Sequence, residues 1–377
     1  MQGARLNVAF AAGGTGGHIY PAVALADALR PRANVRFIGT ADRLETKIVP
    51  DAGYELTTIA SRPLQRGVSI GAVQTAAVNA FGIAQAARAL RAFRPDIVVA
   101  TGGYVCFPAI VAARLLRLAG QLHAPFALLE PNAQPGLTNR LLAPLVDEVW
   151  GAFAQSDSRF AGKYVHTGIP VRESLFHPRN RVEAARRLGL DCARKTILAI
   201  GGSQGARSIN EAVAALVTRR ALPPDWQILH VSGERDFAYM QAEEREPLGE
   251  NRIVLVAYLR EMADAYAVAD LVVARAGAST LGELAALGLP SVLVPYPHAS
   301  EDHQKANARA FEAAGAAVVI EDRKLDADAL WWTLREVMNS PRLAAMRSAA
   351  RSIARRDPVA TILARVDALT SRKTAAA

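Results

Sequence analysis

The stretch Gly13-Gly14-Thr15-Gly16-Gly17-His18 constrains the fold of this chain more than any other. It follows a short apolar run, Val8-Ala9-Phe10, and precedes a helical-looking segment from Pro21 to Arg30. Strand, glycine turn and helix in that order open a parallel βαβ unit. Glycines let the backbone approach a ligand closely, and a helix N-terminus presents unpaired N–H groups with a partial positive charge. Phosphates and polar sugars suit such a place. His18 adds a group that carries or accepts a proton near neutral pH. Taken alone, the turn also fits a plain strand–helix connection.

The chain then starts again. Thr196-Ile197-Leu198-Ala199-Ile200 reads as a strand, Gly201-Gly202-Ser203-Gln204-Gly205 as the turn and Ser208 to Thr218 as the helix. The 377 residues, 51% of them hydrophobic, suffice for two domains that each bury a core. The expected fold is α/β, with two Rossmann-like, doubly wound domains in tandem and a cleft between them. The boundary is placed at Gly168-Ile169-Pro170-Val171-Arg172, giving domains of 1–170 and 171–354.

Further strand ends carry polar groups. Asp96-Ile97-Val98-Val99-Ala100 runs into Thr101-Gly102-Gly103-Tyr104, and Phe126 to Leu129 ends in Glu130-Pro131-Asn132. In open α/β sheets ligands collect outside the carboxyl ends of the strands. In the second half Ala276-Gly277-Ala278-Ser279-Thr280 enters a helix that holds Glu283, read as lying in the first turn. There a carboxylate complements the helix dipole or accepts the hydrogen bonds of a ribose. A long helix from Ser69 to Phe93 carries Ile70, Val73, Ala77 and Phe81 on one side and Arg88, Arg91 and Arg94 towards its end. Core packing with a solvated basic face is one reading of it, with contact among anionic lipid headgroups the other.

Forty-four basic residues against 35 acidic give a net charge of +9. That excess fits an anionic membrane surface or phosphorylated small molecules, while the lack of a dense Lys/Arg run interleaved with aromatics argues against nucleic acid. Two distant cysteines, Cys106 and Cys192, exclude a disulfide framework and favour a reducing cytosol. The apolar run after Arg5 breaks too early for a signal peptide, and no apolar stretch reaches the length of a membrane span. A nicotinamide fingerprint fails at Ile19 when counted from Gly14, and at Ser203 when counted from Gly201. His298 and His303 beside Glu301 and Asp302 lack the order of a metal-hydrolase motif.

Taken in order, Gly13 to His18, Thr101 to Tyr104, Glu130-Pro131-Asn132, Gly201 to Gly205, Ala276 to Thr280 with Glu283, and His303-Gln304 resemble the MurG family. These are the N-acetylglucosaminyltransferases that make the last lipid-linked peptidoglycan precursor, and the resemblance spans roughly Leu6 to Leu369. It implies a GT-B fold whose terminal helix, about 355–371, returns to the first domain. It also implies transfer of N-acetylglucosamine from UDP-N-acetylglucosamine to the 4-hydroxyl of undecaprenyl-diphospho-muramoylpentapeptide. The anomeric centre inverts, neither metal nor cofactor takes part, and the enzyme sits on the cytoplasmic face of the membrane.

Matched motif by motif, the resemblance implies that Arg172 and the backbone at Leu259 hold uracil while Glu283 takes the ribose. Ser203 and the turn Ala278, Ser279 and Thr280 hold the diphosphate, Asn132 and Gln304 contact the donor sugar, and Leu281 and His303 are counted among the substrate-binding residues. Thr15, Gly16 and Gly17 lie nearest the acceptor and the transferred sugar, and Tyr104 is counted among the substrate-binding residues. Inversion needs one base on the acceptor hydroxyl and stabilisation of the departing diphosphate. His18 and Glu130 compete for the role of base; the dipole of the first helix disfavours the imidazolium form of His18. Family members often read His-Glu-Gln-Asn where this chain has Leu129-Glu130-Pro131-Asn132, so roles of the missing His and Gln do not transfer. A UDP-sugar 2-epimerase, a natural-product glycosyltransferase and a non-catalytic nucleotide-sugar binder are the rival readings.

Overall fold

The computed structural model describes residues 5–63, 70–154, 160, 162–177, 179–202, 205–243, 247–259, 261–355 and 357–376. The chain divides into two compact units, Met1–Arg172 with Arg356–Ala377, and Glu173–Arg355.

The first unit carries strands β1 (Leu6–Ala12), β2 (Ala33–Gly39), β3 (Glu55–Thr58), β4 (Ile97–Gly102), β5 (Phe126–Glu130), β6 (Glu148–Gly151) and β7 (Tyr164–His166). Its helices are α1 (Gly16–Leu29), α2 (Glu45–Asp51), α3 (Ile70–Phe93), α4 (Cys106–Leu118) and α5 (Leu137–Leu142). All strands pair in parallel, in the order β3-β2-β1-β4-β5-β6-β7. Such a sheet is covered on both faces, which explains why β1 and β4 are continuous apolar runs rather than alternating ones. Along β1, Val8, Phe10 and Ala12 join the cluster with α1, while Ala9 and Ala11 join the one with α3 and α4.

The second unit contains α6 (Arg181–Arg187), β8 (Lys195–Ile200), α7 (Arg207–Arg219), β9 (Trp226–Val231), α8 (Phe237–Glu243) and β10 (Ile253–Val256). It continues with α9 (Met262–Val268), β11 (Ala269–Ala274), α10 (Ala278–Leu287), β12 (Ser291–Leu293), α11 (His303–Ala313), β13 (Ala317–Val319), α12 (Ala327–Val337) and α13 (Ser340–Ile353). Its parallel sheet runs β10-β9-β8-β11-β12-β13. Both sheets therefore reverse their winding beside their own first strand, between β1 and β4 and between β8 and β11. The short strands β6 and β13 have no counterpart in the sequence reading. Helix α1 begins at Gly16, ahead of the expected Pro21, and the last helix runs on to Ala376 rather than ending at Leu369; most other boundaries shift by a residue or two.

The last helix, α14 (Pro358–Ala376), lies on the first unit, where Ile362, Val366 and Leu369 are buried with α1 and β1. Three such side chains contribute about 1.5–3 kcal/mol each. Arg365 pairs with the buried Glu148, whose Oε2 also accepts from the Trp150 indole at 2.9 Å. An ion pair of this kind adds orientation more than net stability, so apolar burial holds the helix in place.

Helix α3 corrects one expectation. Val73 and Phe81, on the side that the core-packing reading would bury, are 67% and 62% exposed, and Ala77 is exposed with them. The buried face is instead Thr75, Asn79, Gly82, Ala86 and Leu90. Polar Asn79 is admitted because it bonds the backbone of Arg62 on both sides, accepting from N–H at 2.9 Å and donating to the carbonyl at 3.2 Å. At Gly82 the helix comes so close to the chain leaving β3 that a Cβ would lie 1.9 Å from the Ala60 carbonyl oxygen. Alanine is the better helix former by about 1 kcal/mol, but overlap with a fixed backbone oxygen costs about 1–3 kcal/mol or more. Gly82→Ala is therefore expected to lower Tm by about 5 °C in a thermal melt; an unchanged or higher Tm would contradict this packing.

Candidate active site

In the first unit the turns after β1 and β4 meet at the point where the winding reverses, the place where open α/β sheets take ligands. They touch without side chains between them. A Cβ on Gly103 would lie 2.3 Å from the Gly13 carbonyl oxygen, and one on Gly102 would lie 2.2 Å from His18 Nδ1. The His18 ring is held there by the Thr101 carbonyl, 3.2 Å from Nδ1, while the Thr101 hydroxyl donates to the His18 carbonyl at 2.8 Å. A carbonyl oxygen only accepts, so Nδ1 carries the proton and Nε2 is the basic nitrogen of the neutral ring. His18 is part-exposed. Thr15 is the exposed N-cap of α1, with no side-chain cap bond, and Gly16 and Gly17 form the first turn. Tyr104 is part-exposed and its hydroxyl accepts from Arg43 Nε at 3.1 Å.

Glu130 is different in kind. It ends β5, is 1% exposed, and both carboxylate oxygens are engaged. Oε1 accepts from the Asn132 N–H at 2.9 Å and from Asn132 Nδ2 at 3.2 Å. Oε2 accepts from Asn139 Nδ2 at 2.8 Å and from the Gly136 N–H at 3.3 Å. Burial pushes the carboxyl up to about 7, and the donors, which pull the other way, do not offset it. That range suits a general base, but the geometry does not: a carboxylate has about four lone-pair sites, and four donors fill them. Glu130 pins the loop from Asn132 to Asn139 to the end of β5. Asn132 is almost fully buried beside it.

Arg172 closes the first unit, with its guanidinium 4.9 Å from the centroid of the Tyr20 ring on α1. Leu259 is part-exposed in the connection between β10 and α9. Ser203 lies outside the described residues.

The second unit repeats the arrangement with other chemistry. Gly277 caps α10 without a side-chain bond, and the first turn of the helix runs through Ala278, Ser279 and Thr280. Leu281 is core: its side chain is fully buried and its N–H bonds Gly277. Glu283 lies in the second turn of α10, not the first, so dipole complementation does not account for it. Its Oε2 accepts from the buried Tyr266 hydroxyl at 2.7 Å. Gln304 Oε1 accepts from the Tyr296 N–H at 3.0 Å, and His303 opens α11. Just before it, Glu301 and Asp302 both take the left-handed conformation, φ 55° and 54°, at about 1–2 kcal/mol each for non-glycine residues. Paired strain of this kind gathers at functional sites.

Residues that the sequence reading passed over hold these groups. Arg275, at the end of β11, donates to Asp322 at 2.5 Å, Ser208 at 3.0 Å and the Val294 carbonyl at 3.1 Å. One guanidinium thus ties the carboxyl ends of β11 and β12 to the start of α7. Buried Asn307 reaches from α11 to the Ala276 carbonyl at 3.2 Å. Asn139 and Tyr266 do the same for Glu130 and Glu283, and Thr101, named only as part of its motif, does so for His18. Only Thr101, which adjoins a glycine pair at a strand end, carried any signal in the sequence. Among the described residues no three His, Cys, Asp or Glu side chains gather in a way that could hold a metal ion.

Residues 8–150 match the glycosyltransferase family 28 N-terminal domain and residues 196–362 its C-terminal domain. A Moorella thermoacetica protein described as a UDP-N-acetylglucosamine–N-acetylmuramyl-(pentapeptide) pyrophosphoryl-undecaprenol N-acetylglucosamine transferase is 42% identical over 360 residues, 93% of this chain and 95% of that relative. Its namesake from Halothermothrix orenii is 40% identical over 343 residues, 89% of this chain and 91% of the relative. The crystal structure of Acinetobacter baumannii MurG matches with a TM-score of 0.76 at 28% identity, over 97% of this chain and 99% of that one. The two doubly wound units are those of a GT-B fold, and the chain belongs to glycosyltransferase family 28 and, within it, to the MurG family.

Proposed function

We propose that this protein transfers N-acetylglucosamine from UDP-N-acetylglucosamine to the 4-hydroxyl of N-acetylmuramoyl-pentapeptide on undecaprenyl diphosphate, with inversion at the anomeric carbon. The observation that carries this reading is the pairing of two like sheets with unlike turns. One turn presents a part-exposed histidine in a fixed tautomer, and the other a glycine-capped helix N-terminus followed by a carboxylate. The names of the relatives supply the substrates that such a pair would serve.

The second unit holds the nucleotide in this account. Ser203 and the first turn of α10, Ala278 to Thr280, meet the diphosphate through the helix N-terminus, while Leu281, buried in the core with its N–H bonded to Gly277, does not. Glu283, oriented by Tyr266, accepts the ribose hydroxyls, and the backbone at Leu259 meets uracil, for which Arg172 of the first unit is the further candidate. Asn132, His303 and Gln304 lie against the donor sugar. Thr15, Gly16, Gly17 and Tyr104 receive the acceptor in the first unit. His18 Nε2 takes the proton from the 4-hydroxyl as that oxygen bonds the anomeric carbon, and UDP leaves with the electron pair of the old bond. Glu130 serves as a positioning residue rather than the base, because its oxygens are already engaged.

No helix among the described residues is long and apolar enough to cross a membrane. The place of action in this reading is the cytoplasmic face of the inner membrane, with the first unit against anionic lipid. Exposed Val73 and Phe81 on α3, Leu115 and Leu118 on α4 and Leu141 on α5 support it, as do the exposed Arg88 and Arg91 on α3 and Arg140 on α5.

Labelled N-acetylglucosamine should pass from UDP to lipid-linked muramoyl-pentapeptide. Folded, UDP-binding protein that forms no product would end this reading. In the same assay, serine at Val73, Phe81 and Leu118 should slow transfer to acceptor in anionic vesicles and spare a short-chain soluble acceptor; equal rates would refute the membrane placement.

Glu130 gives a pH signature. Its folded-state carboxyl titrates at about 7, above the ordinary value of 4.5. The folded state therefore binds more protons between those limits, and the contribution of Glu130 to stability falls as pH rises through that window. Glu130→Gln, which does not titrate, should be less stable than the parent through lost acceptors, with the gap in Tm narrowing from pH 5 to pH 8. A gap that widens or stays constant would show that the carboxyl is not raised.

A further inference from the structure

Behind the Gly13–Gly17 turn lies a carboxylate with no part in the roles above. Glu45 opens α2, is 0% exposed, and both of its oxygens accept. Oε1 takes the Thr40 N–H at 2.9 Å and the Thr40 hydroxyl at 2.6 Å, and Oε2 takes the Gly14 N–H at 3.0 Å. The turn is built around this side chain: a Cβ on Gly13 would lie 2.6 Å from Oε1. Burying a carboxylate costs several kcal/mol that a methionine or leucine of similar volume would not incur. Packing alone therefore gives no account of a charged group here.

The three bonds differ in reach. The two to Thr40 stay within the connection from β2 to α2, whereas the Gly14 bond spans 31 residues and crosses to the turn after β1. Gly14, at φ 90°, swings the chain from β1 into α1. The setting of its peptide therefore decides where Thr15 caps the helix and where His18, two residues into it, places its ring. Thr101 fixes the ring from one side. Glu45 fixes the backbone from the other.

We propose that Glu45 is a positioning residue for the transfer step, holding the Gly13–Gly14 peptide so that His18 meets the acceptor hydroxyl. This rests on the reading of His18 as the base.

Glu45→Gln in the full-length protein tests it. The amide places an N–H2 group where an oxygen now accepts, so it opposes either the Gly14 N–H or the Thr40 donors. The turn should shift with little change in side-chain volume. Expected is a kcat on the lipid-linked acceptor lowered about 10- to 100-fold, the scale of a misplacement of about 1 Å, with UDP affinity unchanged. A purely structural role would lower Tm and leave the kcat of the folded protein intact, and that result overturns the proposal. Should Glu45→Gln not fold, Thr40→Val keeps the carboxylate and removes one of its donors; kcat should fall, and unchanged kcat overturns the proposal. Lack of transfer by the unaltered protein would instead defeat the functional reading, and this role with it.

Discussion

The first unit depends on a contact made by atoms that are missing. Two strand-to-helix turns, separated by some 90 residues, press together because Gly102 and Gly103 have no Cβ to hold them apart. Any other residue at these places would displace either the Gly13 carbonyl or the His18 ring. The contact brings His18 to the Thr101 carbonyl, which fixes its tautomer, and it closes the turn that Glu45 braces from behind. A histidine at a helix start is an ordinary feature; one whose ring, tautomer and backbone are separately held is suited to moving a proton.

The two units show how one topology takes two chemistries. Each sheet reverses its winding beside its first strand, and each sets glycine turns there. What differs is the charge around those turns. In the first unit the fixed groups are buried carboxylates, Glu45 with three donors and Glu130 with four, and neither charge favours an anion. In the second the organising group is the guanidinium of Arg275, beside a helix N-terminus without a side-chain cap. A diphosphate suits the latter and a sugar hydroxyl the former.

Much of the architecture could be read from the sequence because glycine turns and buried parallel strands leave local marks. Gly13 to His18 and Gly201 to Gly205 announced two doubly wound units, and the apolar runs of β1, β4 and β8 marked their centres. What could not be read are the groups whose meaning depends on sheet order. Thr101 meets His18 across 83 residues, and Glu45 meets Gly14 only because β2 lies beside β1. Helix α3 misled for another reason. Its apolar stripe suggested a buried face, whereas its close packing uses Gly82 and a hydrogen-bonded Asn79, leaving Val73 and Phe81 to the solvent side. The glycine turn before α10 does not mark which residue starts the helix, so the sequence leaves Glu283 looking like a first-turn acid; its place one turn later makes Tyr266, not the dipole, a partner that explains it.

The central claim is that proton transfer belongs to the first unit and nucleotide binding to the second. The most direct measurement compares His18→Ala and Glu283→Gln for both kcat and UDP affinity in one preparation of the full-length protein. The account predicts opposite patterns. His18→Ala should lower kcat by about 10²-fold or more and leave UDP affinity unchanged. Glu283→Gln should weaken UDP binding by about tenfold while kcat at saturating donor changes little. Parallel losses of kcat and UDP affinity in both variants would contradict it.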